Sequence, residues 1–251
     1  MPYHAPLTSR RASTGISVRV FFGHQSVGAD LLTGLSELQP AARMSVVETR
    51  SPARHAQREL LAHARIGSNT DPASKIDDFC ALLRSGIAHD VDFALFKFCY
   101  VDVTTVAAAH AVFERYAHAM SGITTEFPNL TLGHMTIPLR CAAEGVLARV
   151  RERISGPDPE HARNRARATF NARLVEKYSA SAPLFDLAGF ESRLPDGSRH
   201  GRNEPAGFVP ALAPAYTEDG GHLNARGRRI AAHAFLEFLD KMPASLSRQT
   251  P

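Results

Sequence analysis

Short apolar segments alternate along this chain with longer segments in which apolar residues recur at every third or fourth position. The apolar segments predict five β-strands, at 17–22, 44–49, 91–98, 130–137 and 183–189. The third of these is apolar at nearly every position, which is typical of a parallel strand that is covered on both faces.

The segments between the predicted strands favour helices. We expect helices at 27–38, around 76–86, from about Asp102, across the Arg-rich region 143–179 with a break at 156–159, and at 224–242. The side chain of Asp102 is expected to cap the helix that follows it. The polar stretch between the second strand and Arg65 also favours a helix.

This alternation predicts an α/β fold, with three αβα layers around a doubly wound parallel sheet of about five strands. The chain length suits one domain over 1–251, with flexible tails at 1–15 and 243–251. Such sheets bind ligands at the carboxyl ends of their strands. The Gly- and Pro-rich stretch 190–217 interrupts the alternation and is expected to form a lid or a binding loop.

The composition is that of a globular protein, with 44% hydrophobic and 22% charged residues. No apolar run has the length of a membrane-spanning helix and no signal peptide is visible, so the expected compartment is the cytoplasm, with export left open. Arginines interleaved with glutamates predict solvated helices and no nucleic-acid partner, although the formal net charge is +4. Three cysteines are too few for a disulfide framework or a cysteine zinc site.

Two segments far apart in the chain carry the residues of a hydrolytic triad. Ser26 lies between the first predicted strand and the first predicted helix, where a serine caps the helix, acts as a nucleophile, or does both. Asp219 and His222, separated by two glycines, precede the last predicted helix. A histidine oriented by an aspartate is the general base that a nucleophilic serine requires. Since the loop before the last helix can face the loop after the first strand, the three side chains are expected to meet.

These segments resemble the signature blocks of the SGNH/GDSL hydrolases, a flavodoxin-like group of esterases, lipases and carbohydrate deacetylases. Asp219-Gly-Gly-His222 is similar to the family's late Asp-x-x-His turn, and Ser26 lies where the family has its nucleophile. The resemblance spans about 16–241. It implies a triad of Ser26, His222 and Asp219, an oxyanion hole built from neighbouring loops, and neither a metal nor an organic cofactor.

The chain departs from the family pattern at two blocks. Gln25 stands where the family has the aspartate that precedes its serine. The family's third block usually supplies an asparagine that donates to the oxyanion, whereas 97–103 contains none, although Asp102 matches the final aspartate of that block. The candidate substitutes for this donor are the N–H of Gly67, the amide of Asn69, Lys97 and Tyr100.

Several of these candidates also have an ordinary structural interpretation. Gly67 and Asn69 fit a simple turn. Lys97 could bind a substrate carboxylate, or could extend from the strand end into solvent. Gln25 and His24 lie beside the nucleophile and are candidate substrate contacts, and His24 fits a loop residue equally well.

The sequence therefore predicts a serine hydrolase that cleaves an ester, with an acetyl ester on a carbohydrate as the specific expectation. Two alternatives remain open. An acyltransferase would use the same triad to pass the acyl group to a sugar hydroxyl. A degenerate site, favoured by the missing asparagine, would leave a ligand- or carbohydrate-binding module. The expected partner is a small-molecule or carbohydrate ester, and the oligomeric state is not predicted.

Overall fold

The computed structural model describes residues 18–38, 44–52, 60–143, 153–154, 156 and 158–242. The expected tails, 1–15 and 243–251, lie outside the described residues, as does most of the first half of the Arg-rich region. Within the described residues, no helix combines the length and the apolar character needed to cross a lipid bilayer.

A five-stranded parallel sheet forms the middle layer and confirms the predicted fold class. Its strands are β1 (Arg19–His24), β2 (Ser45–Glu48), β3 (Leu60–Arg65), β4 (Phe93–Phe96) and β5 (Thr131–Leu132). The order is β2-β3-β1-β4-β5, so β1 is central, between β3 and β4. After β5, the short strands β6 (His134–Met135) and β7 (Leu184–Phe185) pair in parallel with each other.

Helices pack on both faces of this sheet. They are α1 (Ser26–Leu38), α2 (Pro72–Leu82), α3 (Ala88–Asp90), α4 (Val106–Glu126), α5 (Pro159–Tyr178), α6 (Leu187–Glu191) and α7 (Ala225–Leu239). An antiparallel hairpin of β8 (Gly201–Glu204) and β9 (Gly207–Pro210) lies in the long segment that the sequence predicts as a lid or binding loop. A 3₁₀ turn, Pro214–Tyr216, follows the hairpin.

Two hydrophobic cores lie against the two faces of the sheet. Because successive strand residues point to opposite faces, β1 sends Phe21 into the core shared with α2, α4 and α5, and Phe22 into the core shared with α1 and α7. Phe22 packs against Phe235 of α7 with ring centroids 5.7 Å apart. Burial on both sides fixes the position of β1. It therefore also fixes the corner, the point where the chain turns from β1 into α1.

One prediction of local structure before α4 is wrong. The polar stretch before Arg65 contains β3, because pairing with both β1 and β2 and full burial of Leu61 and Ala64 outweigh the local helix propensity. The second predicted helix, by contrast, is interrupted at Gly86 as the sequence predicts. Gly86 has a non-helical φ of 118°, which separates the helical residues before it from α3.

Two predicted boundaries also shift because another residue provides the helix cap. Asp102 does not cap α4, since Thr105 does so by accepting a hydrogen bond from the N–H of Ala108. The fifth predicted strand ends early, at Phe185, because Asp186 caps α6. Asp102 is instead part of a buried network, described below.

Candidate active site

Ser26 is the first residue of α1, at the carboxyl end of the central strand β1, and is partly exposed. The first N–H groups of a helix lack partners within the helix and carry partial positive charge. The N-terminus of α1 therefore favours negative charge beside Ser26. An oxyanion that develops there would be stabilised by these groups.

Two glycines allow this corner to be tight. A Cβ at Gly23 would lie 2.9 Å from both Ile66 Cδ1 and Phe96 Cβ. A Cβ at Gly28 would lie 2.3 Å from His24 Cβ. Both distances are far shorter than a favourable carbon–carbon contact, so a side chain at either position would force its neighbours to move.

His24 supports the corner and is not positioned to contact a substrate, because it is only 2% exposed. Its Nδ1 lies 2.9 Å from the carbonyl oxygen of Gln25, and its Nε2 lies 3.1 Å from Nδ1 of His63. Since a carbonyl only accepts, His24 Nδ1–H donates to it, and His63 Nδ1–H donates to His24 Nε2. Burial lowers the pKa of His24 to about 4, so the ring is neutral at pH 7.

Gln25 fastens the corner to the turn after β3. Its Nε2 donates to the carbonyl oxygens of Ile66 and Gly67, at 2.9 Å each. Gln25 therefore binds the chain's own backbone. This clamp brings the turn that carries Asn69 next to the corner at Ser26.

The geometry of Gly67 corrects the sequence prediction for its N–H. That N–H donates to Asp78 Oδ2 at 2.8 Å, so it is bound within the chain and is not directed at an oxyanion. Glycine is required here for a different reason. Gly67 has a φ of 49°, and a Cβ there would lie 2.5 Å from the backbone nitrogen of Lys75.

Asn69 has the orientation of a hydrogen-bond donor. Its Oδ1 accepts a hydrogen bond of 2.9 Å from Lys75 Nζ. An ammonium group only donates, so this contact fixes the amide with its Nδ2 group on the opposite side. Because Lys75 is fully buried and Asn69 is exposed, the Nδ2 group points away from the core.

Asp219 and His222 form a hydrogen-bonded pair. His222 Nδ1 lies 2.6 Å from Asp219 Oδ2, while Asp219 Oδ1 accepts from the N–H groups of Gly221 and His222 at 2.8 and 2.7 Å. The His222 side chain and these N–H groups hold the pKa of Asp219 far below its usual range. The ionised carboxylate can only accept, so His222 Nδ1 carries a proton. In the neutral imidazole, a proton on Nδ1 leaves the lone pair on His222 Nε2, which is the tautomer of a general base.

The two glycines of this turn have separate structural reasons. Gly220 has a φ of 80°, a left-handed conformation that favours glycine. A Cβ at Gly221 would lie 3.1 Å from both Tyr100 Oη and Arg140 Nε. The turn is therefore closely packed.

Asp30 holds the Asp219–His222 turn against α1. Its Oδ2 accepts a hydrogen bond of 3.1 Å from the N–H of Leu223. Asp30 and Ser26 are four residues apart on α1 and share one face of the helix. The bond therefore brings the turn that carries His222 to the face of α1 on which Ser26 lies.

Arg140 and Tyr100 hold the same turn from another side. Arg140 Nε and Nη2 donate to the carbonyl oxygens of Gly220 and Asp219, both at 3.2 Å. The Arg140 guanidinium stacks over the Tyr100 ring, 5.1 Å from its centroid, and that ring meets His222 edge-on at 5.9 Å. Burial raises the pKa of Tyr100, so its phenol keeps its proton and remains a donor.

Lys97 lies beneath the site. It directly follows β4, is fully buried, and donates from Nζ to the carbonyl oxygen of Phe98 at 3.1 Å. It also contacts Cys99 Sγ at 3.8 Å. The roles considered from the sequence, an anion contact or a surface lysine, both require access that this burial removes.

Glu191 of α6 is a buried acid that no sequence motif marks. It is 2% exposed, and its Oε2 accepts from the N–H of Leu139 at 2.7 Å. Burial raises the pKa of Glu191 to about 8, so its carboxyl is mainly protonated at pH 7. A protonated carboxyl can remain in the core without a cationic partner.

Sequence reasoning missed Asp30, Lys75 and Arg140. Only Asp30 left a usable signal, because it lies four residues after Ser26 on a predicted helix. Arg140 binds carbonyl oxygens 79 and 80 residues away, and Lys75 acts through another side chain, so neither produces a local pattern.

The sequence matches no protein-family model and no curated protein. Among solved structures, the chain is similar to a GDSL-like lipase from Bacteroides thetaiotaomicron, with a TM-score of 0.52 and 13% identity over 90% of this chain and 89% of that one. It is also similar to a proposed acylhydrolase from Bacteroides fragilis, with a TM-score of 0.52 and 12% identity over 88% of this chain and 86% of that one. The chain therefore has the fold of the SGNH/GDSL hydrolases.

Proposed function

We propose that this protein is a serine hydrolase that cleaves ester bonds, with Ser26 as the nucleophile, His222 as the general base and Asp219 as its orienting carboxylate. The observation that carries the proposal is the 2.6 Å Asp219–His222 pair, which the bond from Leu223 to Asp30 joins to the helix that begins at Ser26. The fold supports the proposal, because a GDSL-like lipase shares it.

The reaction proceeds in two halves. Ser26 Oγ attacks the acyl carbon while His222 Nε2 takes the hydroxyl proton. The tetrahedral intermediate collapses, the ester C–O bond breaks, and His222 gives its proton to the leaving alcohol. Water then attacks the acyl-serine with the help of the same base, releasing the carboxylic acid and restoring Ser26. The ionised Asp219 stabilises the imidazolium in both halves.

The oxyanion is held in this proposal by the N–H of Ser26 and by Nδ2 of Asn69. The first donor lies at the N-terminus of α1, where negative charge is favoured. The second lies on the turn that Gln25 clamps to the corner. Asn69 would take over the role of the asparagine that the third block lacks.

The more specific proposal is that the substrate is an acetyl ester on a carbohydrate, as the family resemblance implies. Hydrolysis and acyl transfer would share the same acyl-Ser26 intermediate, and they differ only in whether water or a sugar hydroxyl attacks it. Product analysis distinguishes the two. If the amount of acetate released stays the same when a sugar acceptor is added, the result supports the hydrolase.

A fluorophosphonate probe tests the nucleophile. The probe should label the native protein at Ser26. Ser26→Ala should abolish labelling and lower the hydrolysis of 4-nitrophenyl acetate by about 10⁴-fold or more. Ser36→Ala is the matched control, because Ser36 is an exposed serine on the same helix that donates only to a backbone carbonyl. Absence of labelling in the native protein, or full esterase activity in Ser26→Ala, would contradict the proposal.

A further inference from the structure

A buried ion pair lies behind the turn that presents Asn69. Lys75 Nζ and Asp102 Oδ2 are 2.5 Å apart, and both side chains are fully buried. Removing two charges from water is unfavourable, so a buried ion pair is weak evidence for a role in stability. The other bonds of this pair indicate a role in positioning.

These bonds connect the pair to two adjacent residues of the turn. Lys75 Nζ donates to Asn69 Oδ1 at 2.9 Å. Asp102 accepts from the N–H of Thr70 at 3.0 Å and from the N–H of Cys99 at 2.6 Å. The pair therefore holds Asn69 by its side chain and Thr70 by its backbone.

The turn is held in a strained conformation. Thr70 has a φ of 69°, in the left-handed region that a β-branched residue rarely adopts. Such a conformation persists only where surrounding contacts enforce it, and it occurs preferentially at functional sites. Here Asp102 Oδ1 binds the N–H of Thr70, so the strain is maintained next to Asn69.

The backbone before Asn69 is fixed as well. The N–H of Gly67 donates to Asp78 Oδ2 at 2.8 Å, and the N–H of Ser68 donates to Ser74 Oγ at 2.9 Å. Asp78 and Ser74 both belong to α2, the helix that also carries Lys75. One helix therefore fixes the turn on its inner side and leaves the Asn69 amide exposed on the outer side.

We propose that Lys75 and Asp102 are positioning residues for the oxyanion, acting through Asn69. The inference rests on the proposed ester hydrolysis and assigns the two residues a part in it. Lys75 turns the amide so that Nδ2 faces the reaction and polarises it, which strengthens the amide N–H as a donor. Asp102 neutralises Lys75 and holds the strained backbone. The asparagine that the third block lacks is thus replaced by an asparagine on another loop with a buried support.

A double-mutant cycle between Lys75 and Asn69 tests this inference. Asn69→Ala should lower kcat by about 10²–10³-fold with little change in KM, because the donor acts mainly in the transition state. Lys75→Met should lower kcat by about 10–100-fold, a typical loss when a residue that orients a site group is removed. The double variant should be no slower than Asn69→Ala, since Lys75 acts only through that amide. If the kcat of the double variant instead falls by the product of the two single losses, Lys75 does not act through Asn69 and the proposal is overturned.

Two further variants keep the test decisive if Lys75→Met fails to fold. Lys75→Met/Asp102→Asn removes both buried charges together and should show the same loss of kcat. Asn69→Asp keeps an oxygen beside Lys75 but has no N–H to donate, so it should fold and still lose kcat like Asn69→Ala. Near-wild-type kcat in either variant would overturn the proposal.

Arg115→Ala provides the matched control. Arg115 on α4 forms an exposed ion pair with Asp77 on α2, and the substitution breaks only this pair. Its kcat should equal that of the native protein.

The experiments distinguish failure of the positioning role from failure of the proposed ester hydrolysis. If the native protein neither reacts with the fluorophosphonate nor hydrolyses esters, both fail. If the native protein is active and the folded Lys75→Met/Asp102→Asn variant keeps its kcat, only the positioning role fails.

Discussion

The backbone N–H of Leu223 donates a hydrogen bond of 3.1 Å to Asp30 Oδ2. The two residues are 193 positions apart, so this bond joins α1 to the turn that precedes α7. The proposed nucleophile lies one helical turn before Asp30, and the proposed base directly precedes Leu223. The relative position of Ser26 and His222 therefore depends on this bond.

Asp30→Ala is expected to lower kcat/KM by about 10–100-fold, because a hydrogen bond to a charged acceptor contributes about 1.5–3 kcal/mol. Asp30→Asn keeps an oxygen that can accept from Leu223, so it should retain most of the activity. Steady-state kinetics on 4-nitrophenyl acetate measures both. Wild-type kcat/KM in a folded Asp30→Ala variant would show that the bond does not position the base.

Arg140 is expected to act on the opposite side of the turn. Arg140→Ala removes the two hydrogen bonds to Gly220 and Asp219 and should lower kcat by about 10–100-fold. Arg140→Lys should fall between Arg140→Ala and the native protein, since an ammonium lacks the planar fork that binds two carbonyls together. Arg163→Ala, an exposed arginine on α5, serves as the control. A rise in KM with unchanged kcat would instead assign Arg140 to substrate binding.

The fold class follows from the sequence because alternating strands and helices have few other solutions. The Asp219–His222 pair was also predictable, since both residues lie within one turn and their chemistry is complementary. Strand β3 was not, because its flanking residues are polar and its identity depends on pairing with β1 and β2. The full burial of Lys97 was not predictable either, since a lysine at a strand end in the sequence reveals nothing about its exposure.

The oxyanion donors show a further limit of sequence reasoning. Whether a backbone N–H is available depends on what else binds it, and the N–H of Gly67 is taken by Asp78, eleven residues later. The orientation of the Asn69 amide depends on Lys75, which no motif connects with it. Such roles are set by tertiary contacts, whereas the triad is set by residue type and spacing.

The tightness of the serine corner can be tested at Gly28. Gly28→Ala should destabilise the protein by about 1–3 kcal/mol, because the new methyl group would lie 2.3 Å from His24 Cβ. Gly122→Ala on α4 is the matched control, and it should stabilise by about 0.5–1 kcal/mol. Apart from its chain neighbours and the backbone of its own helix, no described atom lies within 4 Å of its Cβ position. Urea denaturation compares the two variants. A Gly28→Ala variant as stable as the native protein would contradict the packing described here.

Glu191 makes the stability of the fold depend on pH. Burial raises its pKa from 4.5 to about 8, so between these values the native state holds a proton that the unfolded state releases. The contribution of Glu191 is fully present below pH 4.5 and is lost as the pH rises through about 8. The slope over this window is about 1.4 kcal/mol per pH unit.

Glu191→Gln is expected to remove this dependence, because the amide has nearly the shape of the protonated acid and never ionises. Between pH 5 and pH 7.5 the native protein should lose about 3 kcal/mol of unfolding free energy relative to Glu191→Gln. The variant keeps an oxygen that can accept from the N–H of Leu139, so its stability at pH 5 should be close to that of the native protein. Urea denaturation of both proteins at the two pH values measures the difference. Parallel pH profiles would show that Glu191 ionises in the folded protein near its ordinary pKa.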